Sequence, residues 1–311
     1  MKIQSLSIHV PTDGCINKCK GCVSRMHKSP YKNRIGPGVA FNGVSKSSDT
    51  LDEIEDWKYA KRDYQNRLEF AKENKVNTLI LTGTGEPLQN TEFLYWLLTG
   101  DNAKFQWIEL QTTGNYLMDL FSSYKTYFSL LKEFNVSTIS LSLWDMFSSE
   151  NNTALTGMLL KDAFDIDELC KEIKKNDFNL RLSLNMTDVY NDKSSKEIFE
   201  KAKELGANQI TFRKLYKSEN ENCKQDKWIE EHSAGKFLFD VLNNCISQGK
   251  FLGKLPFGAS KYSVNGISTV VDNNCMDDAT KREEADSYKY LILRPNCKLY
   301  SHWDDEGSLI F

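Results

Sequence analysis

Cys15, Cys19 and Cys22 lie within the eight residues Cys-Ile-Asn-Lys-Cys-Lys-Gly-Cys, directly after the apolar run Leu6 to Val10. Thiolates grouped this closely can hold three irons of a cubane iron-sulfur cluster, whereas a closed cluster takes four. Three ligands leave one iron open to a small molecule, and an open iron is a reactive one. Zinc is the rival reading of the same loop, since His27 would complete a Cys3His set with plausible spacing. A disulfide framework fits poorly: no apolar signal segment marks the Met-Lys-Ile-Gln start, and only eight cysteines are spread over 311 residues.

A second group of residues follows the next β-type run, as Thr82-Gly83-Thr84-Gly85-Glu86-Pro87. Glycines at a strand-to-loop turn let backbone approach a ligand closely, and a carboxylate there can accept a hydrogen bond from an ammonium. Alone, such a turn also reads as a tight connection. Later runs end on polar residues too: Thr113 in Gln111-Thr112-Thr113-Gly114, Ser142 in Ser140-Leu141-Ser142-Leu143-Trp144-Asp145, and Asn185. Each of these equally reads as a polar residue finishing a strand.

These residues must be positioned by repeated strand–helix units. Strands are predicted at Leu6 to Val10, Thr78 to Leu81, Trp107 to Gln111, Thr138 to Leu143, Leu180 to Met186 and Gln209 to Phe212, alternating with helical patterns. Leu51, Ile54, Trp57, Tyr64, Leu68 and Ala71 recur at helical spacing behind the capping-box pattern Thr50-x-x-Glu53. Asp165-x-x-Glu168 and Ser194-x-x-Glu197 mark further helix starts, and Gly206 sits where a C-terminal cap belongs. Spacing alone is compatible with six units or with an eight-unit barrel. The stretch from Val23 to Asp49 is too long and too punctuated for an ordinary connection and reads as a lid or substrate loop. After Tyr216 the pattern changes to a helical region from Asp226 to Ile246 and β-like runs at Tyr262 to Val271, Tyr288 to Leu293 and Lys298 to Trp303.

The C-x3-C-x2-C loop after strand one, followed by the Gly83–Pro87 turn after strand two, resembles the radical S-adenosylmethionine (radical SAM) superfamily. The turn is similar to that family's Gly-Gly-Glu-Pro motif, with Thr84 where the second glycine usually stands. The resemblance covers residues 5 to 215. It implies an α/β fold, an incomplete (β/α)6 barrel over residues 1–215; the change of pattern after Tyr216 reads as a small α+β C-terminal extension over 216–311 that covers the substrate. It implies a [4Fe-4S] cluster on Cys15, Cys19 and Cys22, and S-adenosyl-L-methionine chelating the open iron. Gly83, Thr84, Gly85, Glu86 and Pro87 would then bind its methionyl amino group. Thr113 would replace an asparagine of the third-strand segment, Ser142 would lie near the ribose hydroxyls, and Asn185 would make another ribose contact. The implied activity is reductive cleavage of the cofactor to a 5′-deoxyadenosyl radical that abstracts hydrogen from a substrate. The electron would come from a donor such as flavodoxin or ferredoxin.

One departure stands out. Many members carry an aromatic residue before the third cysteine, packed near the adenine, and here the residue is Gly21. A Gly-Cys ending resembles the activases of glycyl-radical enzymes, which are much shorter chains. Three classes stay open: an enzyme on a small molecule such as a nucleotide, an enzyme that modifies a peptide or activates a protein, and a non-catalytic zinc or cluster module. Trp144, Arg213 and Lys214 are substrate candidates at strand ends.

Cys223, Cys245, Cys275 and Cys297 have the right number for a second cluster, but no two lie in a C-x2-C or C-x3-C unit, and Cys170 and Cys245 fall in helical patterns, where cysteine serves as a small core hydrophobe. His232 and His302 read as packing or surface residues. Forty basic residues against 43 acidic ones argue against a large nucleic-acid footprint, and no apolar run approaches a membrane span. The expected setting is the reducing cytoplasm, which suits an oxygen-sensitive cluster.

Overall fold

The computed structural model describes residues 2–12, 14–26, 55–99, 105–218, 223–255, 259–272, 287–303 and 307–311. In chain order its strands are β1 (Lys2–His9), β2 (Thr78–Thr82), β3 (Trp107–Thr112), β4 (Leu120–Ser122), β5 (Lys125–Thr126), β6 (Thr138–Leu143), β7 (Asn179–Asn185), β8 (Gln209–Arg213), β9 (Lys250–Lys254), β10 (Ser260–Val264), β11 (Ile267–Asp272), β12 (Ser287–Leu293) and β13 (Leu299–Tyr300). The helices are α1 (Glu55–Glu73), α2 (Thr91–Leu98), α3 (Tyr127–Glu133), α4 (Ser149–Thr156), α5 (Ile166–Lys175), α6 (Ser195–Glu204), α7 (Lys224–His232) and α8 (Lys236–Ser247).

Six strands lie side by side in the order β1-β2-β3-β6-β7-β8, every neighbouring pair parallel. These are the six strands expected from the sequence, each within two residues at its C-terminal end. The sheet is not closed, so the α/β fold is an incomplete barrel. Its strands alternate, apart from Ile80 of β2 and Trp107 of β3. Leu79, Leu81, Leu141, Leu182, Leu184 and Phe212 are fully buried in the core with the helices, where Phe199 of α6 meets Phe212 edge-on at 5.8 Å. The intervening positions are polar: Ser140, Ser142, Arg181, Ser183, Thr211 and Arg213 share the opposite face. Parallel sheets covered on both sides usually read as continuous apolar runs. A polar inner face is what a barrel interior needs if it is to receive a polar molecule rather than be filled by its own side chains.

The C-terminal strands extend this sheet at both edges. β12 runs parallel beside β1 and carries the short antiparallel β13, while β11 runs parallel beside β8 and begins the antiparallel ribbon β11-β10-β9. The run Tyr262 to Val271 is thus a hairpin, turning at Asn265-Gly266 with φ of 51° and 85°. Positive φ at both residues is what a two-residue hairpin turn matching strand twist requires. The region Asp226 to Ile246 is two helices, interrupted at Ser233–Gly235, and only Leu299–Tyr300 of the run Lys298 to Trp303 forms a strand.

Asp165 accepts the Glu168 amide at 2.9 Å, and Ser194 with Glu197 forms a reciprocal capping box, as the sequence indicates. The proposed lid segment from residue 27 onward, with His27, the Thr50-x-x-Glu53 box and Cys275, lies outside the described residues. No helix among the described residues is long and apolar enough to cross a membrane.

Candidate functional site

The cysteine loop leaves β1 at the C-terminal edge of the sheet, where ligands of parallel α/β folds collect. Val10 still pairs with the second strand, its amide bonding the Thr82 carbonyl at 2.8 Å. Thereafter two neighbours hold the loop. Gln89 and Asn90, just past the Gly83–Pro87 turn, grip it from one side: Gln89 Oε1 accepts the Ile16 amide at 2.9 Å, Gln89 Nε2 donates to the Gly14 carbonyl at 3.3 Å, and Asn90 Nδ2 donates to the Pro11 carbonyl at 2.7 Å. From the other side the last turn of α4 offers carbonyls it cannot use internally. Lys18 donates to Thr156 and Lys20 to Leu155, both at 3.1 Å.

The two motifs are in direct contact. A β-carbon on Gly85 would sit 2.1 Å from Thr12 Oγ1, so only glycine lets the turn approach the loop this closely. Thr84 is tied to β1: its amide donates to His9 Nε2 at 3.1 Å and its hydroxyl lies 2.9 Å from the same nitrogen. An amide can only donate, so that nitrogen carries a lone pair and the imidazole is neutral. Burial first, and the nearby Arg294 guanidinium second, push His9 down to about 3.

Glu86 is buried and its acceptor capacity is used inside the protein. Oε1 accepts the Thr112 hydroxyl at 2.6 Å, and Oε2 accepts the Thr113 amide at 3.0 Å and the Thr113 hydroxyl at 2.7 Å, with the Leu88 amide as a further donor. Two carboxylate oxygens offer about four acceptor positions, and donors of the protein take most of them. These bonds join the turn to the end of β3. Burial raises Glu86 above the ordinary carboxylate range against the pull of those donors.

Asn17, inside the cysteine loop, reaches the same cluster. Its Nδ2 donates to Thr113 Oγ1 and to Asn115 Oδ1, each at 2.7 Å. Loop, turn and the end of β3 thus form one network. His9, Asn17, Gln89, Asn90, Thr112 and Asn115 are members of this network that sequence reasoning missed. The available signal was local: Asn17 lies between two cysteines and Gln89-Asn90 follows the turn.

The three cysteines carry free thiols. Cys15 is exposed as a residue while its sulfur is largely desolvated; burial, then the Glu86 and Cys22 charges, push it up to about 11. Cys19 and Cys22 are raised as well, chiefly by burial. Amides of Asn17 and Glu86 oppose this at Cys15, and those of Ser24 and Arg25 at Cys22. Donors directed at thiolate sulfurs suit iron-sulfur ligation, whose properties follow hydrogen bonds to sulfur. Thr12 Oγ1, Asn17 Oδ1 and Asn115 Nδ2 are buried without partners around the loop. Such orphaned polar atoms point to an absent polar group. Among the described residues no three His, Cys, Asp or Glu side chains converge closely enough for one metal ion. A zinc ion draws its thiolates to about 2.3 Å of a single point, whereas a cubane gives each thiolate its own iron. Three thiolates with amides directed at their sulfurs fit a cubane; His27, the fourth ligand of the zinc reading, lies outside the described residues.

Residues 6–141 match the family described as a 4Fe-4S single cluster domain, a span holding the cysteine loop, the turn and the end of β3. That match takes in Cys15, Cys19 and Cys22 and covers less than half of the chain. No curated protein sequence matches it. Among solved structures it is similar to Streptococcus suis SuiB bound to S-adenosylmethionine, with 15% identity and a TM-score of 0.47 over 96% of this chain and 58% of that one. It is also similar to coproporphyrinogen III oxidase (HemN) from Escherichia coli, described as a radical SAM enzyme, with 13% identity and a TM-score of 0.43 over 79% of this chain and 52% of that one. The chain thus spans little more than half the length of either.

Where the sequence departs from the motifs it resembles, the departures have local causes here. Thr84 supplies the hydroxyl that meets His9, and Thr113 the one that meets Glu86 and Asn17. At Gly21 a β-carbon would lie 3.1 Å from Trp144, 3.2 Å from Trp228 and 3.1 Å from Ile229. Space for an aromatic side chain at position 21 is taken by two tryptophans meeting edge-on at 5.7 Å. His232 stacks on Trp228 at 4.7 Å, a packing role as expected.

The remaining candidates are distributed along the mouth. Ser142 and Asn185 are half-buried at the C-terminal ends of β6 and β7, Arg213 is half-buried at the end of β8, Lys214 is exposed and Trp144 is buried beneath the cysteine loop. Asn185 and Arg213 are register partners. Of the late cysteines, Cys297 packs in the core near Tyr64 of α1, Cys245 lies on α8 against that core, and Cys223 precedes α7 in a separate small cluster with Met26 and Ile229.

Proposed function

We propose that this chain is a radical SAM enzyme that binds one [4Fe-4S] cluster on Cys15, Cys19 and Cys22, places S-adenosyl-L-methionine against the Gly83–Pro87 turn, and cleaves it reductively to abstract hydrogen from a substrate. The observation that carries this reading is the interlock of the two motifs: Gln89 bonds Gly14 and Ile16 on the loop, Gly85 abuts Thr12, and Asn17 bonds Thr113. When bound, the cluster supplies one electron to the sulfonium, yielding methionine and a 5′-deoxyadenosyl radical.

The chain's own residues bind and orient. The cysteines hold three irons and leave one coordination position for the cofactor. Glu86 and His9 fix the shape of the turn, so its backbone is set before the methionyl group arrives, a preorganisation that lowers binding cost. Ser142 and Asn185 present polar atoms on the inner face for the ribose. Trp144 and Trp228 close the underside of the loop and keep water from it. Residues 1–215 carry this machinery with Trp228 beside them, and residues 216–311 cover and specify the substrate position. The electron comes from a partner of the flavodoxin or ferredoxin kind.

Anaerobic reconstitution with iron and sulfide, followed by assay of 5′-deoxyadenosine from the cofactor, tests the proposal. Cys15→Ala, Cys19→Ala and Cys22→Ala should each abolish cleavage, while Cys170→Ala, a core substitution on α5, should retain it. Stoichiometric zinc without iron after strictly anaerobic expression would overturn it.

A further inference from the structure

We infer that Arg213 and Ser183 form an anion-binding subsite on the inner face of the barrel, built for a carboxylate or phosphate group of the substrate. The inference rests on the proposed function and names the substrate class for that site. It begins with a contrast between two arginines on one face. Arg181 is fully engaged: Nη1 pairs with Glu109 Oε2 at 2.6 Å, while Nε and Nη2 donate to Gln209 Oε1 at 2.9 and 2.7 Å. Arg213, one strand over and nearer the mouth, makes no side-chain hydrogen bond or ion pair among the described residues, and its Nε is buried without a partner.

A second orphan lies beside it. Ser183 is 1% exposed and its Oγ also lacks a partner. Ser183 pairs in register with Thr211, and Asn185 with Arg213, so the hydroxyl and the guanidinium are diagonal neighbours on adjacent strands. Leu182 and Leu184 on the other face are fully buried among the helices, which leaves Ser183 on the inner side. Buried polar groups without partners are rare and call for an explanation. Here both can donate, one carries a permanent positive charge, and Glu109, the acid that β3 places on this face, is already neutralised by Arg181. The complement of two donors and a free positive charge is an anionic oxygen group, which a guanidinium matches with its planar fork. Both residues lie in the C-terminal halves of β7 and β8, at the edge that carries the cysteine loop. An anion held there tethers the rest of the substrate toward that loop.

The full-length reconstituted protein is titrated calorimetrically with inorganic phosphate and, separately, with acetate, without cofactor or reductant. Saturable binding is expected for at least one anion, and the tighter arm identifies the group. Arg213→Gln should weaken it about tenfold or more, the loss of a charge-assisted bond; Ser183→Ala should weaken it less, and Arg213→Lys should restore part. Iron content and thermal unfolding report folding of each variant; if Arg213→Gln fails to fold, Arg213→Lys and Ser183→Ala carry the decision. Binding of neither anion, or equal binding by parent and variants, would overturn the subsite. So would binding seen only in Asp272→Asn, a change at the register partner of Arg213 on β11. A protein that fails to hold iron yet binds the anion would refute the cofactor reading and leave this one standing.

Discussion

Replacing Glu86 by glutamine separates two roles for its carboxylate. If the group recognises the cofactor's ammonium, the loss should appear in cofactor affinity; if it positions the turn, the loss should appear in stability. Thr113 makes two of the contacts, its amide at 3.0 Å and hydroxyl at 2.7 Å, both to one oxygen. A glutamine oxygen placed there keeps them in weaker, uncharged form. The other position becomes an amide donor facing Thr112, whose hydroxyl oxygen already accepts the Gly114 amide at 2.9 Å. Losing charge assistance and opposing two donors costs ~2–3 kcal/mol, partly offset because a neutral amide is easier to bury, for a net of about 2 kcal/mol. At ~2.1 cal/mol/K of unfolding entropy per residue, in a chain of 311 residues that is a fall of about 3 °C in Tm. Affinity for S-adenosylmethionine, measured by calorimetry on the reconstituted protein, should fall by less than about tenfold, or 1.4 kcal/mol. A larger loss of affinity with unchanged Tm would refute the positioning argument and return the carboxylate to the ammonium.

Conservative replacement of Cys223, Cys245, Cys275 and Cys297 one at a time should leave iron at about four per chain, one cubane; a parent value near eight that drops on any of them would establish a second cluster. Gly21→Phe must displace Trp144 and Trp228, so overpacking should cost ~1–3 kcal/mol in urea unfolding, and a neutral result would show that the tryptophans move aside freely. Because the native state holds His9 near 3 while the unfolded chain protonates below its ordinary 6.5, its contribution is complete above pH 6.5 and is lost as pH falls toward 3, at up to about 1.4 kcal/mol per pH unit. Urea unfolding of cluster-free protein between about pH 7 and pH 5 should therefore show a shallower pH slope for His9→Gln than for the parent; equal slopes would mean His9 is not buried neutral.

The six parallel strands were legible because each carries its own local alternation of apolar outer and polar inner residues, and neighbours in sequence are neighbours in the sheet. What the pattern could not convey is where the C-terminal strands attach. β12 pairs with β1 from Lys2↔Ser287 onward, and β11 pairs with β8. Both choices depend on which edges the first six strands leave unpaired, a property of the assembled sheet rather than of any window of sequence. The break between α7 and α8 was legible in principle, since Ser233-Ala234-Gly235 interrupts the helical pattern.

At the site, the cysteine loop and the glycine turn could be read because each is contiguous and its chemistry is written in adjacent residue types. The residues that join them could not, because each acquires its role from a partner far along the chain. His9 acts on Thr84, Asn17 on Thr113 and Asn115, Gln89 on Gly14 and Ile16. The departures from the family pattern belong to the same set. Thr84 stands where glycine is usual because His9 offers it a nitrogen, Thr113 because Glu86 and Asn17 converge on its hydroxyl, and Gly21 because Trp144 and Trp228 fill the space beyond it. A departure from a motif and an unnoticed polar residue elsewhere are thus two ends of one contact. Restoring the common residue at position 84 alone would leave His9 Nε2 without the hydroxyl partner, so the change toward the family pattern is expected to weaken this turn rather than improve it.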